Sequence, residues 1–357
     1  MSGSTQIATD PVPAAALTEW LRAEVPEIAT GAGPVEVRRI SGGHSNLTYR
    51  VVDAAGGRWA LRRPPTGGVL ATAHDMSREW RFIAALADTP VPVPRAVAFC
   101  SDHAVIGADF YVMGFVDGVV PGDVEAGAAM PVGIRHAAGL AVADVLADLH
   151  AVDPDAVGLG ELRRPGSYLE RQLRRWHRQA HDSAVEDLSV VDEGHRLLVE
   201  RRPADEELTI AHGDYRPGNL SFGPDGRIGA IFDWELATLG EPLADLGYLL
   251  ASWGRPDDTV REITSGPTTL EGWPERDEIL ARYAERSGRG DRIAGQADYF
   301  EAFARWRSAC IGAGVYTRYA AGHMGESTDD PGTARSRLAN LQEQATAAVE
   351  ILHRDAG

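Results

Sequence analysis

The residues best equipped for chemistry lie in His212-Gly213-Asp214-Tyr215-Arg216-Pro217-Gly218-Asn219, followed after one short strand by Asp233-Trp234-Glu235. A migrating phosphoryl group needs little covalent help. It needs an aligned acceptor hydroxyl, a proton acceptor beside it, and cations to absorb charge on the phosphates. Asp214 suits the proton acceptor. Asn219 can offer its side-chain oxygen to Mg2+, a hard cation that takes oxygen ligands, and Asp233 supplies the charged ligand. Arg216, two positions past Asp214, can reach a γ-phosphate and offset charge building there. Pro217 stiffens the loop, Gly218 permits a tight turn, and His212 reads as a structural residue packed and hydrogen-bonded beneath it.

The flanking segments must deliver these groups. Glu207 to Ala211 reads as a buried strand entering the loop, and Arg227 to Phe232 as another that carries Asp233 at its end. Gly223-Pro224-Asp225-Gly226 between them is a hairpin-turn signal. Nearer the N-terminus, Val35 to Ile40 alternates like a strand, and Leu47 to Val52 returns as a second. The turn joining them contains Gly42, Gly43, His44, Ser45 and Asn46, small and polar residues whose backbone N–H groups can fold over phosphates. That turn does not match G-x-G-x-x-G. A third strand, Arg58 to Arg62, is followed by Pro64-Pro65-Thr66-Gly67-Gly68, a loop by composition. From His74 to Leu86, helical spacing appears in Trp80, Ile83 and Leu86.

The His212–Asn219 segment with its later Asp233 resembles the kinase catalytic loop H-R-D-L-x-x-x-N and its metal-binding acid. Its H-G-D-x-x-x-x-N then D-W-E form is similar to that of aminoglycoside phosphotransferases and their relatives. The resemblance is closest to the branch of kinase-like domains fused to acyl-CoA dehydrogenases, and it runs from about Pro34 to the C-terminal helices. It implies an α+β, protein-kinase-like two-lobe fold, with a small N-lobe of antiparallel sheet plus helix and a larger, mostly helical C-lobe. Asp214 matches the catalytic base, Asn219 and Asp233 the Mg2+ ligands, and Arg216 the basic residue of the loop.

The same resemblance extends to the nucleotide side. Ala60-Leu61-Arg62 resembles the kinase Ala-x-Lys, with Arg62 where the phosphate-gripping lysine stands. The chain contains no lysine, all 35 of its basic residues being arginine. A guanidinium binds oxygens as a fork rather than as a point charge, so the exchange matters. Arg63 points to the other face of the strand by period two. Glu79 is the expected ion-pair partner of Arg62. Phe110 to Val116 reads as a buried strand running into the hinge, where backbone groups near Gly114 and Val116 would bond a purine edge and Met113 would flank it. The nucleotide is ATP or GTP, since backbone contacts leave the base open.

Composition is compatible with this architecture. A chain of 357 residues with 44% hydrophobic content is long enough to split its core in two. The expected division is an N-terminal tail and first helix over 1–33, a nucleotide-binding N-lobe over 34–116, and a helical C-lobe with catalytic loop and acceptor site over 117–357. A net charge of −17 argues against nucleic acid as a partner. Cys100 and Cys310 are too few for a disulfide framework or a zinc site and read as buried thiols. Met1 to Asp10 lacks a basic-then-apolar order, and no apolar run reaches membrane-spanning length, so a cytoplasmic protein is expected.

Beyond the hinge the spacing predicts helices over 137–150, 168–180, 190–200, 276–286, 297–321 and 333–353, the first with an apolar stripe at Leu140, Ala141, Val145, Leu146 and Leu149. Asp245 has two readings, a brace for the catalytic loop or a helix N-cap. Two surfaces could select a small hydroxylated acceptor. Arg171, Arg174, Arg175 and Arg178 could draw a hydroxy acid or hydroxyacyl thioester. Glu235, Trp253, Glu301, Trp306 and Tyr316 could enclose an aminoglycoside-like amino alcohol. The Arg62 departure leaves a nucleotide-binding pseudokinase as the alternative. Oligomeric state is not legible.

Overall fold

Strict alternation in Leu47-Thr48-Tyr49-Arg50-Val51-Val52 buries Leu47, Tyr49 and Val51 on one side of a strand. The computed structural model describes residues 12–28, 31–40, 46–65, 75–204, 208–255, 258, 260–264, 266–320 and 331–354. The chain divides into two units: one comprises Met1–Asp117 with Gly229–Glu235, the other Gly118–Ile228 with Leu236–Gly357. The segment carrying Asp233 thus belongs with the N-terminal unit, not with residues 117–357 as the sequence suggested.

In the first unit, helix α1 (Ala14–Glu24) precedes strands β1 (Glu36–Arg39), β2 (Leu47–Val52) and β3 (Arg58–Arg63). Helix α2 (Met76–Leu86), strand β4 (Ala96–Cys100), short helix α3 (His103–Ile106) and strand β5 (Phe110–Gly114) follow. The five strands form one antiparallel sheet in the order β1-β2-β3-β5-β4. Leu17 and Leu21 of α1 pack with Leu47, Tyr49, Val51, Leu61, Phe110 and Val112, and Trp20 meets Phe110 edge to face at 4.9 Å. Parity sends Arg63 to this side, where it is buried against the Tyr49 hydroxyl at 3.2 Å. Arg62 and Tyr111, cross-strand partners, face the other side. The sequence missed β4: Ala96-Val97-Ala98-Phe99 is half-buried throughout and shows no alternation.

The second unit begins with α4 (Val124–Ala128) and α5 (Val132–Ala151), then α6 (Tyr168–His181) and α7 (Ser189–Glu200). Short strands β6 (Thr209–Ala211), β7 (Leu220–Phe222) and β9 (Thr238–Gly240) follow; between β7 and β9, strand β8 (Ile228–Ile231) lies, but for Ile228, in the 229–235 segment of the first unit. Helices α8 (Pro242–Ala251), α9 (Arg276–Ser287), α10 (Gly290–Ala320) and α11 (Pro331–Arg354) complete it. The buried stripe of α5 is Ala138, Gly139, Val142, Ala143, Leu146, Ala147 and Leu149, while Leu140, Ala141 and Val145 are half-buried. The expected face is therefore rotated toward small residues. Gly139 admits Pro274 and Trp253 at distances a Cβ would block. On the flank, Asp144 and Asp148 pair with Arg282 and Arg286 of α9 at 2.7 Å each. Among the described residues no helix is long and apolar enough to cross a membrane.

Helices α8 and α10 approach closely at Gly247, where a Cβ would land on the Phe300 carbonyl of α10. Gly247→Ala should lower stability by about 1–3 kcal/mol through overpacking, more than the up to ~1 kcal/mol that alanine returns as a helix former. The urea midpoint checks this; an unchanged or raised midpoint would show that the contact has slack.

Candidate phosphoryl-transfer site

In the N-terminal unit the chemistry gathers around one buried carboxylate. Glu79, 1% exposed, accepts from Arg62 Nε at 2.8 Å, from the Tyr111 hydroxyl at 2.9 Å and from Asn46 Nδ2 at 2.5 Å. The helix carrying it starts at Asp75, whose side chain accepts from Arg78 N–H. Arg62 and Glu79 thus form the ion pair expected of them. Asn46, expected in an exposed phosphate turn, is instead buried at the start of β2 with its Oδ1 unpartnered. Gly42, Gly43, His44 and Ser45 lie outside the described residues.

Arg62 also reaches Asp233, Nη2 to Oδ1 at 2.5 Å. Burial disfavours its charge, but the oxygens of Tyr111, Glu79 and Asp233 outweigh burial and hold its pKa above the ordinary arginine value. Burial likewise pushes the Glu79 carboxyl up, with Arg62 opposing and Asp233 adding to the rise. Asp233 is the one non-glycine residue with positive φ among those described, at 67°. Such a conformation costs on the order of 1–3 kcal/mol and persists only where its surroundings enforce it. Here they do: Trp234 Nε1 donates to the Ile231 carbonyl at 3.0 Å and stacks on Phe82 of α2 at 6.2 Å, while Ile231 N–H donates to Pro92 at 2.8 Å.

At the expected hinge, Met113 is buried and pairs with Ala60, and Val116 is half-buried. Gly114 N–H donates to the Arg95 carbonyl at 2.8 Å, so that donor is already engaged within the sheet.

In the second unit, Asp214 follows a glycine fixed from several directions. Gly213 has φ +84°, and a Cβ there would lie 2.8 Å from the Leu236 carbonyl, so only glycine fits. Its N–H donates to Asp245 Oδ1 at 2.8 Å, and its carbonyl accepts from Arg307 Nη2 of α10. Asp245 also accepts from His212 N–H at 2.6 Å, and its Oδ2 lies 3.4 Å from His150 Nε2, whose Nδ1 meets the Tyr283 hydroxyl at 2.7 Å. The N-cap of α8 is Glu241, so of the two readings of Asp245 the loop brace is the one observed. Burial opposes its charge, yet His150, His212 and the Gly213 N–H hold its pKa below the usual carboxylate value. His212 is buried beneath the loop, and its Nδ1 accepts from Asp214 N–H at 3.2 Å.

The loop's side chains then orient one another. Asn219 Nδ2 donates to Asp214 Oδ2 at 2.7 Å and to the Asp214 carbonyl at 2.8 Å, which leaves the Asn219 amide oxygen for other work. Arg216 Nε lies 3.6 Å from Asp214 Oδ1, too far for a hydrogen bond, and has no hydrogen-bond partner among the described residues. Tyr248 of α8 hydrogen-bonds Asp214; burial first and Asp214 next push its ionisation well up, so it serves as a neutral donor. Neither Tyr248 nor Arg307 lies in a motif, and no signal in the sequence points to them.

The two candidate acceptor surfaces are not assembled as predicted. Arg171 caps the carbonyls of Pro165 and Gly166, Arg174 sits 3.7 Å from Glu170, and Arg175 lies over Trp176. Trp253 and Trp306 are fully buried with their indole N–H groups bonded to Pro274 and Val191, and Glu301 pairs with Arg305.

A family model described as "Phosphotransferase enzyme family" matches residues 36–295. Acyl-CoA dehydrogenase family member 10 of Mus musculus is 31% identical over 89% of this chain, and member 11 of Gallus gallus 34% over 82%. The matches cover only 29% and 38% of those relatives' lengths. A solved Ralstonia eutropha protein, provisionally named an aminoglycoside phosphotransferase, aligns with TM-score 0.76 and 32% identity over 95% of this chain and 98% of its own. An APH(4)-Ia aminoglycoside phosphotransferase solved with AMP-PNP and hygromycin B (TM-score 0.61, 15% identity, 94% of this chain and 98% of its own) shares the fold. So does a Plasmodium vivax ethanolamine kinase (0.59, 14%, 93% and 86%). The kinase-like α+β fold expected from the sequence is therefore the fold observed.

The grip of Asp245 on the loop has a pH signature. A carboxyl whose folded pKa is depressed contributes stability that is complete above its unfolded value, about 3.9, and disappears as pH falls through the folded value. Between about pH 5 and 2 the wild type should lose stability more steeply than Asp245→Asn, so that their urea midpoints converge in acid. Parallel midpoints would contradict the depressed pKa.

Proposed function

Because the chain belongs to the phosphotransferase enzyme family, we propose that it transfers the γ-phosphoryl group of ATP or GTP to a hydroxyl of a small molecule. The reading is carried by the Asp214 carboxylate, fixed by Asn219 Nδ2 at 2.7 Å beside an Arg216 guanidinium that has no hydrogen-bonded acid of its own. The acceptor oxygen attacks phosphorus as its proton passes to Asp214. The bond to the bridging oxygen breaks, the nucleoside diphosphate leaves, and Arg216 offsets charge on the moving group.

The donor set fits Mg2+. The Asn219 amide oxygen is left over once its nitrogen is committed to Asp214, and Asp233 is a partly exposed carboxylate, so each offers the hard oxygen such an ion takes. When bound, Mg2+ neutralises charge on the phosphates. Arg62, held by Glu79, is the phosphate-gripping cation, and Met113, Gly114 and Val116 border the base.

For the acceptor, the dehydrogenase relatives favour a hydroxy acid or hydroxyacyl thioester, and the fold neighbours an amino alcohol such as an aminoglycoside. Trp234 to Pro242 leaves little chain on which a protein substrate could dock. A second reading, nucleotide binding without turnover, is favoured by one observation: Arg62 already engages Asp233.

Asp214→Asn keeps the shape of the site and removes the base. It should reduce acceptor-dependent nucleotide turnover by about 10²-fold or more while leaving nucleotide affinity within a few-fold, as read by coupled turnover and a binding titration. Full turnover in this variant would remove Asp214 from the reaction.

A further inference from the structure

Away from the catalytic loop, α6 and α7 form a second cluster with metal-binding chemistry. His177 and His181 are four residues apart on α6 and so share a face. Asp192 stands in the first turn of α7. One oxygen, Asp192 Oδ1, lies 2.8 Å from His177 Nε2 and 2.7 Å from His181 Nε2. The donor atoms of all three residues lie within 4.8 Å of one another.

We propose that His177, His181 and Asp192 bind one first-row transition-metal ion of the Zn2+ class, leaving a coordination position open to an anionic ligand. Two imidazole nitrogens and a carboxylate oxygen suit Zn2+, Co2+ or Ni2+ and are poor donors for Mg2+ or Ca2+. Tetrahedral ligands at about 2.0–2.1 Å from Zn2+ stand about 3.3–3.4 Å apart, so inserting the ion requires each histidine–aspartate gap to open by only about half an ångström.

The scaffold behind the cluster is stiff. His195 stacks on His177 at 4.0 Å with planes 13° apart, and Trp306 lies behind His195 at 5.8 Å. Trp306 is fully buried and donates through Nε1 to the Val191 carbonyl at 2.9 Å, fixing the residue before Asp192. The turn between the helices is tied down by Ala184 N–H donating to Thr317 Oγ1 of α10 at 2.8 Å.

Both ligand histidines line a cavity of about 610 Å³ whose other walls include Arg174, Arg178 and Arg202. With Arg174 set against Glu170, which lines the same cavity, Arg178 and Arg202 are the guanidiniums that favour a carboxylate or phosphate as the exogenous ligand.

The site shares no residue with the proposed transfer chemistry, so it is tested independently. Full-length protein stripped with a chelator is titrated with Co2+ in excess Mg2+, which occupies hard-oxygen sites. The expected result is one equivalent of Co2+ with the intense visible bands of four-coordinate cobalt, displaced by Zn2+. His181→Ala and Asp192→Ala, checked for folding by circular dichroism, should each weaken binding by about tenfold or more, whereas His136→Ala, a surface histidine on α5, should not. Absence of the bands in wild type up to millimolar Co2+, or full binding by folded His181→Ala, would overturn the proposal. Because the wild-type titration alone can refute it, the test survives misfolding of a variant.

Discussion

The loop offered for the proposed phosphoryl transfer hangs from one buried carboxylate. Asp245 accepts the N–H groups of His212 and Gly213 and lies 3.4 Å from His150 Nε2, while Arg307 takes the Gly213 carbonyl from another helix. A buried, ionised carboxylate is tolerable only when its oxygens are satisfied by oriented donors, and the donors here are the backbone of the loop itself. The loop cannot relax without leaving that charge unpaired. This rigidity lets Asp214 present a fixed carboxylate, with Asn219 on one oxygen and Arg216 near the other.

The N-terminal unit applies the same logic to a cation. Arg62 stands between Glu79 and Asp233, and its fork geometry lets Nε serve one acid and Nη2 the other. A lysine ammonium would serve both acids from a single point. The all-arginine composition of the chain therefore has a local use: the guanidinium bridges the helix acid and the acid at the positive-φ bend. Tyr111 and Asn46 complete the shell around Glu79, so replacing one partner leaves the others buried and underbonded.

Much of this was legible in the chain because it depends on short spacings. The His-Gly-Asp to Asn interval, the later Asp-Trp-Glu and the period-two choice of Arg62 over Arg63 follow from local rules, whereas Glu79 as the partner of Arg62 came from the resemblance to kinases. What escaped depends on packing between distant segments. Tyr248 and Arg307 look like ordinary helix residues until α8 and α10 bring them to the loop. Strand β9, only three residues long, is too short to show an alternation. The stripe on α5 was misjudged because large residues were given the core, whereas the close approach of Pro274 and Trp253 selects Gly139 and its small neighbours.

The central claim is that a phosphoryl group leaves the nucleotide and arrives on a hydroxyl of a small acceptor. Phosphorus NMR on wild-type protein with Mg2+, ATP or GTP, and pooled amino alcohols, sugars, hydroxy acids and hydroxyacyl thioesters reads this directly. The account predicts a new phosphomonoester resonance that grows in step with nucleoside diphosphate. Nucleotide that binds, yet yields no phosphomonoester from any of these classes, would contradict it.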